Sequence, residues 1–330
     1  MRLIAAILLS AMATAAGAAE KVTLRLGDVK GDRFISLRES GELKNLPYEL
    51  KLTSFDSGAP VQEALNAGAL DVGFTGDLPF LFVYAAGAPV KAVGGWQNNP
   101  DSIALLTRSD SGIHSLKDLK GKQIAVNRGG WGHYLVLGLL ERAGLKPDDV
   151  KLRFLGPVDG RAALATHAVD AWATWEPYVS SAIVVDKAVL VPQGGGKGIL
   201  SGYSYALARE EALKDPAKRQ AIADLQARLA RAQIWAARHP AEFASALSKS
   251  LGMPQTITQR WIASAEIRPV KFSSTLADTL QQSADFFFKY HVLPRAVDVH
   301  PAFDYQLAQQ ANQVAAASPQ TVAHQEVVHE

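Results

Sequence analysis

The chain has 330 residues, 48% of them hydrophobic and 20% charged, with a formal net charge of +2. That supplies enough apolar residues for two cores of typical domain size. With no run of Lys and Arg, so even a balance speaks against the concentrated basic face of a nucleic-acid binder. Cysteine is absent, which excludes disulfides, a thiol nucleophile and a lipid-carrying Cys at a cleavage site.

Arg2, the apolar run Leu3 to Ala13 and the small residues Ala16-Gly17-Ala18-Ala19 read as a secretory signal peptide cut after Ala18 or Ala19. The apolar run is shorter than the roughly 20 residues a spanning helix needs. An exported chain without an anchor is expected to be free in a Gram-negative periplasm.

Val22 to Leu26 is an alternating run, Leu50 to Phe55 a second, and both predict strands. Pro60 to Ala67 predicts a helix stopped by Gly68, Leu70 to Phe74 a strand, and Pro79 to Ala86 another helix. The order then recurs: strand Gln123 to Asn127, helix His133 to Ala143, strand Val150 to Phe154, helix Gly160 to Thr166, strand Val169 to Ala173, and a helix opened by Glu176-Pro177. Strands alternating with short helices imply α/β lobes, each a mainly parallel sheet flanked by helices. Two stretches match at an offset of 99 residues, with Asp71 against Asp170, Thr75 against Thr174 and Asp77 against Glu176. Either chance or two lobes of similar topology accounts for so short a match.

From Lys218 onward the pattern is helical: Arg219 to Arg238, Ala241 to Ser250, Pro254 to Ala265 and Leu276 to Tyr290. The expected organisation is a signal peptide over 1–19, lobe 1 over 20–106, lobe 2 over 107–199, a helical return to lobe 1 over 200–314, and a disordered tail over 315–330. Crossovers are expected near Ala104 to Arg108 and near Gly195 to Gly202.

Gln62 to Gly73 followed by Thr75-Gly76-Asp77-Leu78-Pro79 resembles the first-lobe signature of the aliphatic-sulfonate, taurine and nitrate binding proteins of ABC importers. Ser115 to Val126 resembles their S-L-x-D-L-K-G-K-x-I-A-V segment, and Arg161 to Leu164 with Val169 to Tyr178 their second-lobe signature. The resemblance implies a type II periplasmic binding protein, two lobes closing on a solute like a flytrap. It implies a small organosulfonate-like anion and an ABC permease as partners, with no nucleic acid and a monomeric chain. The loop Arg128 to Tyr134 departs from the family: serines give way to Gly129-Gly130-Trp131-Gly132-His133.

Helix N-termini offer an anion free N–H groups and the positive end of the dipole. Three loop-to-helix junctions qualify: Thr75-Gly76-Asp77, Gly129 to His133, and Thr174-Trp175-Glu176. Asp77 and Glu176 serve equally well as first-turn helix stabilisers. Arg128, His133 and Lys30 are the candidate cations, each readable as an ordinary surface residue too. Trp96, Trp131, Trp172, Trp175 and Tyr178 gather where a cleft would lie, which suits an organic solute better than a bare inorganic anion. Core packing is the competing account, for Trp172 above all. The expected ligand set is thus Lys30, Thr75, Gly76, Asp77, Trp96, Arg128, Gly129, Gly130, Trp131, His133, Trp175 and Glu176, with no cofactor, metal or catalytic residue. An organosulfonate is preferred; taurine, a sulfate ester, nitrate or bicarbonate are the alternatives, as are a solute-presenting sensor and an enzyme on the same fold. The related desulfinase chemistry needs a Cys that this chain lacks.

Overall fold

The computed structural model describes residues 21–316. The expected signal peptide and residues 317–330 of the expected tail lie outside them. Residues 315 and 316 of that tail close a helix instead.

The first part of the chain forms β1 (Thr23–Val29), α1 (Asp32–Glu39), β2 (Glu49–Phe55), α2 (Gly58–Asn66), β3 (Val72–Gly76), α3 (Asp77–Ala85) and β4 (Val90–Gln97). A second set follows: β5 (Ala104–Thr107), β6 (Gln123–Val126), α4 (Trp131–Ala143), β7 (Lys151–Phe154), α5 (Pro157–Ala165), β8 (Ala171–Thr174), α6 (Tyr178–Val185) and β9 (Val189–Gly195). The remainder is β10 (Tyr203–Arg209), α7 (Glu210–Lys214), α8 (Pro216–Arg238), α9 (Pro240–Leu251), α10 (Gln255–Ala265), β11 (Arg268–Pro269), α11 (Ser274–Lys289) and α12 (Tyr305–Ala316).

Two sheets result, ordered β2-β1-β3-β10-β4-β11 and β7-β6-β8-β5-β9. The repeat hinted at by the sequence is a repeat of topology. In the first sheet β1 is parallel to β2 and β3, and β10 runs against β3 and β4. In the second β6 is parallel to β7 and β8, and β5 runs against β8 and β9. The reversed strand in each sheet is the one that has just crossed from the other. Asp71 and Asp170 do the same work in both copies: each accepts a backbone N–H of the neighbouring parallel strand, from Arg25 of β1 at 2.9 Å and from Gln123 of β6 at 2.8 Å.

The first crossing comes earlier than expected. Ala104 to Thr107 is strand β5 of the second sheet, so the chain crosses between Gln97 and Ala104, before position 106. The return runs from Gly196 to Gly202, while Gly194 and Gly195 end β9. The two crossing segments lie side by side, with Asn98 N–H donating to the Gly202 carbonyl at 2.8 Å. Gly202 is required there: its φ is +71°, and a Cβ would sit 2.2 Å from the Asn98 carbonyl oxygen.

Alternation along β1 buries Leu24 and Leu26 against Ile222, Leu225 and Leu229 of α8, which covers one face of the first sheet. Trp172 and Val179 anchor a separate core on the second sheet. Helix α11 packs on both bodies, with Phe287 against Phe82 of α3 and against Tyr134 of α4. No helix among the described residues is long and apolar enough to cross a membrane.

Candidate functional site

The carboxyl ends of β1, β3, β6 and β8 face one another across the space between the sheets, the place where open α/β sheets bind ligands. An inner cavity of about 90 Å³ lies there. Lobe 1 lines it with Lys30, Arg33, Gly58, Thr75 and Gly76; lobe 2 lines it with Asn127, Trp131, Trp175 and Glu176. Trp261 of α10 also lines it.

Its cations are already matched. The Lys30 ammonium pairs with Asp56 and lies 5.4 Å from the centre of the Tyr178 ring. Arg33, which the sequence reading passed over, is buried between the rings of Phe74 and Trp96 and donates to Asp28 and Asp32 at 3.0 Å each. Burial, with help from Asp32, pushes the Asp28 carboxyl above the usual range despite Arg33. Both cations thus have carboxylate partners, although the Arg33 Nε is left without one, and neutral groups and dipoles add further positive potential.

Two helix N-termini supply it. Helix α2 begins at Gly58 and α4 at Trp131; neither has a side-chain cap or an acidic residue in its first turn. Their leading N–H groups are the orphan donors every helix leaves at its start. Beside Gly58 sits the Thr75 hydroxyl, 2% exposed at residue level and without a hydrogen-bond partner. A Cβ on Gly58 would fall 2.1 Å from that hydroxyl oxygen, so glycine is what lets the α2 terminus and Thr75 share one spot.

Asp77 does not line the cavity. It sits buried in the first turn of α3 and accepts the Trp131 indole N–H at 2.6 Å and the Ser201 hydroxyl at 2.5 Å. It thus ties lobe 1 to lobe 2 and to the returning crossover. Burial raises its carboxyl to about 6 although all its hydrogen bonds act the other way. Glu176 does line the cavity, but its carboxylate is taken up by the Ser180 N–H and hydroxyl and by the Ser264 hydroxyl of α10 at 2.5 Å.

Lys30, Thr75, Gly76, Trp131, Trp175 and Glu176 thus meet around one cavity. Gly130 caps α4 and packs on Asn127. Arg128 and Gly129 line a separate, wider chamber next to it. Like Asp77, two further expected residues stand away from the cavity. Trp96 is 2% exposed in the first-lobe core, edge-on to Phe74 at 5.5 Å, where it backs Arg33 rather than meeting solute. His133 is buried against Phe154 and Phe287, accepts the Gly129 N–H at 3.3 Å through Nδ1, and is held neutral by burial and Arg128, its pKa lowered to about 4. It is no cation for the site. Arg33, Gly58, Asn127 and Trp261 were missed. A run such as Gly31-Asp32-Arg33-Phe34-Ile35 carries a helix-start signal that could have located Arg33; nothing local marks Trp261, which arrives from the returning helices.

Comparison with known proteins places this architecture. Residues 49–243 match the family described as NMT1/THI5 like. The chain is 34% identical over 84% of its length, and 86% of the relative's, to an aliphatic sulfonates-binding protein of Escherichia coli (strain K12). It is 27% identical over 78% of its length, and 76% of the relative's, to a protein of the same description from Bacillus subtilis (strain 168). Among solved structures it superposes with a TM-score of 0.78 on the alkanesulfonate-binding protein SsuA from Xanthomonas axonopodis pv. citri bound to MOPS, at 31% identity, covering 87% of this chain and 99% of that one. The chain belongs to the NMT1/THI5-like family, and the relatives it matches over most of their length are described as binding proteins for aliphatic sulfonates.

Proposed function

We propose that this protein is the periplasmic solute-binding protein of an ABC importer, which captures an organosulfonate-type anion between its lobes and delivers it to the permease. The observation that carries the reading is the unpartnered, buried Thr75 hydroxyl beside the uncapped start of α2, facing the uncapped start of α4 from the other lobe. Three sulfonate oxygens accept from such donors without a matched cation, as phosphate does at helix N-termini. Trp131, Trp175 and Trp261 give the same cavity apolar walls for carbon.

Lobe closure is the mechanism. Two hydrogen bonds join the lobes across the cleft, the Trp131 indole N–H to Asp77 and the Tyr178 hydroxyl to the Asp56 carbonyl at 2.9 Å. A solute touching both walls favours the closed state, and the permease reads it. We assign no chemical step: the carboxylates at the cleft are engaged by Trp131, serines, Lys30 and Arg33.

A thermal-shift and calorimetry panel on the mature chain tests the reading. Alkanesulfonates and taurine should raise the midpoint, by an amount equivalent to about 2.7 kcal/mol at roughly 100 times Kd. A shift with nitrate or bicarbonate alone would point to an inorganic-anion importer instead.

A further inference from the structure

The inner cavity is small. At about 90 Å³ it is the smaller of two adjoining spaces between the lobes. On the reading above, it takes the sulfonate head of the solute. Beyond it lies the wider chamber, about 600 Å³, within the range of about 300–1,000 Å³ usual for small-molecule sites. Pro79 and Asn127 line both spaces, so the two adjoin. The chamber too is built from both lobes, by α2 and α3 on one side and by residues 127–129 and 154–157 on the other.

Two of its side chains are unused by the fold. Gln62 is 4% exposed, and both its amide nitrogen and its amide oxygen lack partners. A buried amide left with neither bond made is costly, and a solute that supplies them recovers the cost. Arg128 holds its guanidinium 3.6 Å over the centre of the Phe154 ring, and among the described residues no carboxylate pairs with it. Phe154, unusually exposed for its size at 38%, keeps the guanidinium plane in place at the chamber wall. Glu63 stands at the same chamber but is exposed, where solvent screens it.

We propose that this chamber is a second subsite that takes the far end of the solute, and that the preferred solutes are organosulfonates carrying a distal carboxylate. The inference rests on the sulfonate reading of the inner cavity. Arg128 and the Gln62 amide N–H groups donate to the distal carboxylate, and charge-assisted bonds of this kind are about twice as strong as neutral ones. The Gln62 carbonyl is left to accept from a hydroxyl or amine next to that carboxylate. Because both lobes form the chamber, filling it adds to closure.

Calorimetry on the full mature chain tests this with methanesulfonate, hexanesulfonate and the ω-carboxylate counterpart of hexanesulfonate. The wild type should bind the ω-carboxylate form about tenfold more tightly than hexanesulfonate. Gln62→Leu and Arg128→Leu should each erase most of that preference and leave methanesulfonate within about twofold of wild type. Gln62→Leu removes an orphaned amide, so it should fold at least as well as the wild type and keeps the test valid if Arg128→Leu does not fold. Equal wild-type affinity for the two six-carbon ligands, or an equal loss on methanesulfonate in a folded variant, overturns the subsite. A wild type that binds no sulfonate overturns the sulfonate reading itself, and the subsite with it, a result distinct from the other two.

Discussion

Trp131 of the second lobe donates its indole N–H to Asp77 of the first at 2.6 Å, across the cleft that the solute must enter. The bond joins the starts of two helices, α4 and α3, one from each lobe. Asp77 lies buried where the lobes meet, and burial is what raises its carboxyl to about 6.

That shift fixes the sign of a pH effect. An ordinary aspartate ionises near pH 3.9. Between about pH 4 and 6 the native protein holds a proton on Asp77 that the unfolded chain has lost. This contribution to stability is complete below that window and is lost as pH rises through it. Asp28, also raised by burial, acts in the same direction. Asp77→Asn should flatten the dependence of the unfolding midpoint on pH across this interval relative to wild type. It also turns one acceptor into a donor beside Trp131 and Ser201, so affinity should fall by about tenfold. Unchanged slopes in both proteins would remove Asp77 as the titrating group.

Thr75→Val should have effects of opposite sign on stability and binding. It deletes a buried hydroxyl with no partner, which should stabilise the empty protein by about 1 kcal/mol. The same change removes a donor from the solute and should weaken sulfonate binding by about tenfold. Denaturant unfolding and calorimetry on one preparation measure both. Loss of both together would mean a purely structural role.

Gly76 permits the lobes to meet. Its backbone, at φ −65° and ψ 162°, suits any residue, but a Cβ there would lie 3.0 Å from the Trp131 ring of the other lobe. Gly76→Val should leave folding nearly intact while propping the cleft open. Small-angle scattering with saturating ligand should show the variant more extended than wild type; identical profiles would count against closure through this contact.

Asp71 and Asp170 hold equivalent places but unequal loads. Asp71 is buried, and though burial alone would raise its carboxyl, Arg25 and Lys218 outweigh it and hold it at about 2. Its stabilising contribution is present above about pH 4 and is lost as pH falls through about 2. Asp71→Ala should cost about 2–3 kcal/mol, discounted because both cations are partly exposed. Asp170→Ala, which loses mainly the bond from the Gln123 N–H, should cost about 1 kcal/mol. Urea titrations of the two variants compare them directly.

Much of the fold was legible because its signals are local. Alternation with an apolar-Asp pair announced β3 and β8, and glycine or proline punctuation placed α2, α3 and α4 within a few residues. Strand β10 was not legible: its pairing partners β3 and β4 lie more than a hundred residues earlier, and only the return of the chain makes it central. Helix α1 was missed for a related reason, since its inward face holds the charged Asp32 and Arg33, which read as surface. His133 was misjudged because nothing near it in the chain announces Phe287, which buries it.

The sequence by itself determined the two α/β units, their shared turn at Asp71 and Asp170, and the gathering of Thr75, Gly76, Trp131, Trp175 and Glu176 at strand-to-helix junctions, because residue type and spacing dictate such turns. Only the tertiary structure decided what each side chain does there. It made Asp77 a tie between lobes, neutralised His133, sank Trp96 behind Arg33, and left Thr75 and Gln62 with unmade hydrogen bonds. Those outcomes depend on burial and on partners distant in the chain, and both arise only when the lobes fold and meet.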